Sequence, residues 1–207
     1  MEQIDYIIRP ERTEDYRETE NLTREAFWNV YRPGCTEHYV LHCYRGRKEF
    51  VPELDLVMEK DGRIIGHIMY SQSEIKTSDG VLPIMTFGPV SILPECQRQG
   101  YGKALLDDSM ERAKALGCGA LAICGNIGFY GRSGFVPAKR TGICYEDDPN
   151  ADYFLIRELL PGFLDGVAGS YRDPAGYFAA EENPEAFEIF DAQFPKKEKR
   201  KLPGQLF

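Results

Sequence analysis

The chain has no apolar run long enough to cross a bilayer, no excess of basic residues and no paired-cysteine motif. A spanning helix needs about 20 consecutive apolar residues, so a membrane protein is not expected. The first residues, Met1-Glu2-Gln3-Ile4-Asp5-Tyr6, are acidic and lack the basic and apolar regions of a secretory leader, which sets the expectation of a cytoplasmic protein. Lys and Arg number 25 against 33 Asp and Glu, a net charge of -8. Nucleic-acid binding needs clustered cations against phosphates, so no nucleic-acid partner is expected, and cationic substrates are mildly favoured. The six cysteines, at 35, 43, 96, 118, 124 and 144, show no framework spacing. A chain of 207 residues can bury a core without disulfides, so free thiols are expected. The nearest approach to a metal pattern is Cys35, His38, His42 and Cys43. The Glu of a zinc-protease motif is missing there, so these read as incidental histidines on a helix face and no metal is expected. No internal repeat or low-complexity segment is present.

What the sequence does contain is a strand, a turn and a helix between Thr86 and Gly117. Phe87 to Leu93 is apolar and β-prone, interrupted by Gly88-Pro89, a pair that within a strand marks a bulge or a close backbone approach. Pro94 ends the strand. From Lys103 onward Leu106, Met110 and Ala113 fall on one face, with Asp107, Asp108, Glu111 and Lys114 elsewhere, which predicts an amphipathic helix closed by Gly117. Between them lies Gln97-Arg98-Gln99-Gly100-Tyr101-Gly102, glycines beside Arg98 and Lys103 at a helix start. The first N–H groups of a helix lack intrahelical partners and carry partial positive charge, and glycine admits an anion without a Cβ in the way, so this turn can bind phosphate. The spacing excludes a Walker A loop, and Leu105 stands where a dinucleotide fingerprint needs its third glycine.

The run Gln97 to Gly102 after an apolar strand resembles the acyl-CoA pyrophosphate loop of the GNAT N-acyltransferase superfamily. A second element follows: a buried strand Ala120 to Cys124, then Asn126, then Phe129-Tyr130-Gly131-Arg132-Ser133-Gly134-Phe135, similar to the family's Tyr-x-x-x-Gly-Phe. The run around Gly88 to Glu95 looks closest to bacterial predicted N-acetyltransferases. An ordinary βαβ unit whose glycine turn caps a helix is the alternative.

The rest of the chain reads in the same order. Tyr6 to Arg9 is β-like, a helix opens near Thr13 and Asp15, and Glu37 to Tyr44 is a second helix, followed by a basic cluster, Arg45, Arg47 and Lys48, expected to be a solvated face. Asp61-Gly62 joins Leu54 to Glu59 with Arg63 to Ser73, and Asp79-Gly80 leads into Val81 to Leu93, giving an antiparallel meander. The fold class expected is α+β, with a mostly antiparallel central sheet, one parallel βαβ crossover and flanking helices, the order the GNAT resemblance implies over Tyr6 to Leu159. Residues 1–160 form the expected acyltransferase domain. Residues 161–207, rich in aromatics, are expected to pack as an extension on the domain or on a partner subunit, as in a homodimer. Lys196 to Lys201 is expected to be a solvated terminal face.

The resemblance implies N-acetyl transfer from acetyl-CoA, as co-substrate and without a metal, to a primary amine of a small molecule or protein. It assigns the pyrophosphate to Gln97, Arg98, Gln99, Gly100, Tyr101, Gly102 and Lys103. The pantetheine arm pairs with the backbone of Val90, Ser91 and Ile92, and Asn126 contacts a pantetheine amide, unless its side chain caps the next helix. Tyr130 is the acid for the leaving thiolate, unless it is a core aromatic. The central strand (Met85, Thr86, Phe87, Ser91) holds no acidic residue, so the base is left among Asp55, His67, Glu74 and water. A noncatalytic acyl-CoA sensor is the rival reading.

Overall fold

The computed structural model describes residues 5–205. Its strands are β1 (Ile7–Pro10), β2 (Leu56–Lys60), β3 (Arg63–Thr77), β4 (Gly80–Ile92), β5 (Ala120–Cys124), β6 (Val136–Pro137), β7 (Ile143–Tyr145), β8 (Phe154–Glu158) and β9 (Gly169–Tyr171). The helices are α1 (Tyr16–Phe27), α2 (Glu37–Tyr44), α3 (Tyr101–Ala115), α4 (Ile127–Tyr130), α5 (Ala179–Glu182) and α6 (Pro184–Asp191). The sheet runs β1-β2-β3-β4-β5-β8-β6, antiparallel except between β4 and β5, the pair that α3 connects. A further parallel pair, β7 with β9, is attached through β9, which pairs with β3 at Ile75 to Thr77. The Asp61-Gly62 turn forms as expected because both residues take positive φ, which matches the twist of the strands it joins, whereas the second hairpin turns one residue earlier, at Ser78-Asp79, with Gly80 already paired to Thr77. β2 begins later than its alternation suggests, since Pro52–Leu54 forms a single 3-10 turn.

Successive side chains of β3 sort the layers. Tyr70 faces α3, its hydroxyl 2.8 Å from Ser109 Oγ, and packs with Phe87 over Leu105, Leu106, Met110 and Phe135. Met69 faces the other way, against Val40, Leu41 and Tyr44 of α2. Fully burying one such large apolar side chain is worth about 1.5–3 kcal/mol, and this core fixes α3, hence the loop before it, against β3 and β4.

α1 and α2 are clamped by the segment after residue 160. Arg24, 2% exposed, donates from Nε to Asp191 Oδ1 at 2.7 Å and lies over Trp28. His38 is fully buried among Phe187, Phe190 and Phe194 instead of lying on a helix surface. The basic cluster also differs from expectation. Arg45 is buried because it donates to both carboxylate oxygens of Glu11 and to Glu20. The terminal lysines are partly engaged, Lys197 with Glu25 at 2.7 Å.

Candidate active site

The turn before α3 is shaped by its glutamines and leaves its backbone donors open. Gln97 Nε2 donates to Ile92 C=O at 3.0 Å and Gln99 Nε2 to Glu95 C=O at 2.9 Å, so both side chains hold the loop rather than face a ligand. Arg98 and Gly100 take positive φ, 59° and 92°, which turns successive N–H groups toward one side. Ala104 N–H donates to Gly100 C=O at 3.0 Å. Among the described residues, no protein acceptor receives the N–H groups of Arg98 through Lys103. Of the side chains, Arg98 is exposed, Tyr101 Oη receives Lys60 Nζ at 2.6 Å, and Lys103 pairs with Asp107.

β4 and β5 pair only at Met85 with Leu121 and Thr86 with Ala122, and then part. Leu93 N–H donates to Ile65 C=O at 2.9 Å. With Ile92 opposite Gly66 and Val90 opposite Ile68, the pleat turns the N–H groups of Val90 and Ile92 away from β3 into the split. Ser91 points instead into the α1 layer, its hydroxyl 2.9 Å from Thr23 Oγ1 and fully buried, and the same alternation turns its backbone groups toward His67 of β3, so Ser91 offers no donor to the split. The register shift between Ile68 and Tyr70 sets Gly88 and Pro89 together against Met69, a bulge in β4.

Across the split, α4 sets Phe129 and Tyr130. Phe129 approaches Gly102, while Tyr130 packs edge-on to Phe87 and Phe135 and covers Gly125, where a Cβ would lie 2.3 Å from Tyr130 Cε2. Glycine at 125 is what allows that approach. Burial pushes the Tyr130 phenol upward, with a smaller push from Tyr31, so it stays protonated; among the described residues its hydroxyl has no hydrogen-bond partner. Asn126 Oδ1 accepts from Gly128 N–H at 2.7 Å, capping α4, so the capping reading describes its oxygen. Ser133 is committed to Asp107 at 2.7 Å.

Two of the residues considered as bases form a buried pair beneath α1, with His67 opposite Ser91 of β4. His67 Nε2 lies 2.7 Å from Asp55 Oδ1 and 3.7 Å from Glu11, all three with side chains at most 5% exposed. Burial lowers His67 to about 4 and raises Glu11 to about 7. Glu11, Asp55 and His67 are close enough to share a cation, but Arg45 already occupies Glu11. Glu74 is exposed on the distal half of β3. Cys35 and His38 contact one another at 3.5 Å, whereas His42 turns to Glu20, so these residues do not converge on a metal.

A group missed in the sequence lies in the segment after 160. Asp173 accepts from Tyr145 Oη at 2.9 Å, Tyr171 Oη at 3.0 Å and the Cys124 thiol at 3.8 Å, beside the end of β5. Tyr177 Oη donates to Gly88 C=O at 3.2 Å. The only sequence signal was an acid within an aromatic-rich stretch. A 450 Å³ surface cavity lined by Gly134, Thr141, Arg157 and Leu164 contains none of these groups.

The profile of the Acetyltransferase (GNAT) family matches residues 13–135. The uncharacterized N-acetyltransferase YjhQ of Escherichia coli (strain K12) is 28% identical over 86 residues, 42% of this chain and 48% of that protein. The chain thus spans about half the length of that curated relative. A GNAT family N-acetyltransferase, YhbS from Escherichia coli in complex with CoA, superposes with a TM-score of 0.73 at 20% identity, covering 86% of this chain and 94% of that one. A GNAT family acetyltransferase from Brucella melitensis in complex with acetyl-CoA gives a TM-score of 0.67 at 27% identity, covering 83% and 97%.

Proposed function

Because this chain belongs to the GNAT acetyltransferase family, we propose that it transfers the acetyl group of acetyl-CoA to a primary amine. The observation that carries the reading is the row of unpartnered N–H groups from Arg98 to Lys103 at the start of α3, a site for the pyrophosphate of the donor. The pantetheine arm then follows β4 as an added strand, pairing with the outward N–H groups of Val90 and Ile92. That path brings the thioester to the bulge at Gly88-Pro89.

The neutral amine nitrogen attacks the thioester carbon and gives up a proton to the base, the C–S bond breaks, and sulfur takes the proton of the Tyr130 hydroxyl, which among the described residues no protein acceptor competes for. Of the four base candidates, Asp55 and His67 are sealed under α1 and Glu74 is remote, which favours water. Residues 1–160 carry these groups, and residues 161–207 act as an extension that closes over α1 and α2.

A sensor that binds acyl-CoA without chemistry finds no support in the family match. Calorimetric titration with acetyl-CoA, followed by thiol release over an amine panel, tests the reading. Saturable binding and amine-dependent release are expected. Absence of acetyl-CoA binding overturns it, and binding without release restores the sensor.

A further inference from the structure

The carboxylate of Asp173 is unusual in its company. It is half-buried and held by two phenols and a thiol, yet among the described residues no Lys, Arg or His lies within ion-pair reach. An ionised carboxylate out of water is costly unless a cation or several hydrogen bonds compensate it. Three donors occupy part of its capacity of about four, and the donors themselves are neutral. Burial raises its pKa, with the three hydrogen bonds and the neighbouring Asp147 charge acting in opposite senses on the result. Among the described residues, no positive charge pairs with this carboxylate.

The position of this carboxylate in the fold gives it a meaning. The donor's cradle is at the start of α3, on one side of the sheet. Asp173 and Tyr177 lie on the side of α2, where the Tyr177 ring packs tilted against Tyr44 with ring centroids 5.0 Å apart and its hydroxyl reaches Gly88 C=O. Cys124, which touches Asp173, is the last residue of β5 and precedes the Gly125 that Tyr130 covers. Thr86 donates to Ala122 C=O at 2.8 Å where the two strands last pair. Asp173 therefore flanks the opening of the split from the face opposite the cradle. The adjoining turn Glu146-Asp147-Asp148 adds further negative charge, offset in part by Lys76 and Arg172.

We propose that Asp173 is the counter-ion for the acceptor's ammonium group, and that the acceptor is a small cationic amine without a carboxylate near its nitrogen. The assignment rests on the acetyltransferase reading above and deepens it. The segment after residue 160 then supplies part of the acceptor site, with Tyr145 and Tyr171 holding the carboxylate in place.

The test uses the full chain, acetyl-CoA and a matched set of amines: 1,3-diaminopropane, β-alaninamide and β-alanine. The three present the same primary amine on a similar spacer and differ in the charge beside it. Wild-type protein is expected to favour 1,3-diaminopropane and β-alaninamide over β-alanine by about tenfold or more in kcat/KM. Asp173→Asn should raise KM for 1,3-diaminopropane by about tenfold, shrink the preference to within about threefold, and leave the Kd for acetyl-CoA unchanged. Tyr145→Phe keeps the carboxylate and should keep the preference, which separates charge from packing. If wild type acetylates β-alanine as readily, or if a folded Asp173→Asn variant keeps the preference, the acceptor assignment fails while the acetyltransferase reading stands. Failure to bind acetyl-CoA defeats that reading itself. Release with other amines of the panel but with none of these three overturns Asp173 as the site of a small cationic acceptor, whereas binding with no release from any amine restores the sensor and defeats the acetyltransferase reading.

Discussion

Tyr130 shows how one side chain can satisfy two roles that the sequence left open. Its ring is a core aromatic, packed on Phe87 and Phe135, while its hydroxyl makes no protein hydrogen bond among the described residues. Removing that oxygen costs no bond and leaves the ring contacts to phenylalanine. Tyr130→Phe is therefore expected to keep its melting temperature and its acetyl-CoA affinity and to lose turnover, because the proton is needed only as charge develops on sulfur. General acid catalysis is worth about 10²–10⁴-fold, and a fall in kcat of that order is the expected result where thiolate departure limits the rate. Thiol release measured with calorimetric Kd and thermal unfolding checks it. Unchanged turnover in the folded variant would remove Tyr130 from the mechanism, and committed Ser133 offers no ready replacement.

The loop and α3 act as one element, and glycine placement decides how to probe it. At Gly100, φ is 92°, so any side chain there strains the turn. At Gly102 a Cβ would meet Ile92 Cγ1 and Phe129 Cζ at 3.5 Å, an ordinary contact. Gly102→Glu should therefore fold, yet it sets an anion where the pyrophosphate belongs. Its Kd for acetyl-CoA is expected to rise on the order of 100-fold, about 2.7 kcal/mol, with Gly102→Ala affected far less. Wild-type affinity in folded Gly102→Glu would reassign the cradle. This element was readable in the sequence because its signals are local: Pro94 after the strand, the glycines, the periodic Leu106, Met110 and Ala113. The two hairpins were readable for the same reason, through Asp61-Gly62 and Asp79-Gly80. Asp173 was not. It gains meaning only when three-residue β9 pairs with Ile75 to Thr77 of β3, a contact across more of the chain than any period spans. Arg45 and His38 were misread as surface groups because their burial depends on Glu11 and on the distant α6.

At the scale of the molecule, the segment after 160 also ties stability to pH through His38. Burial lowers its pKa to about 4, against the opposing pull of Asp191. In its neutral form Nε2–H donates to Asp191 at 3.0 Å, and Nδ1 accepts from Cys35, whose thiol burial keeps protonated; the tautomer follows from these partners. An unfolded histidine takes its proton near pH 6.5, so between there and about 4 the unfolded chain binds more protons than the native one. Stability is thus full above pH 6.5 and falls as pH drops through that window, by about 3 kcal/mol for this one group. The other strongly shifted pair largely cancels. Glu11, raised to about 7, protonates early in the native state and strengthens it as pH falls, while His67, lowered to about 4, does the reverse. Replacing His38 with glutamine keeps an N–H for Asp191 and a carbonyl for the Cys35 thiol but removes the ionisation. Urea unfolding of both proteins from pH 7.5 to 4 should show the His38→Gln variant less stable at neutrality and flatter with pH, the wild type losing about 3 kcal/mol more across the window. Parallel curves would mean that His38 titrates normally in the fold, and with that the tight closure of α6 over α1 and α2 would lose its physical basis.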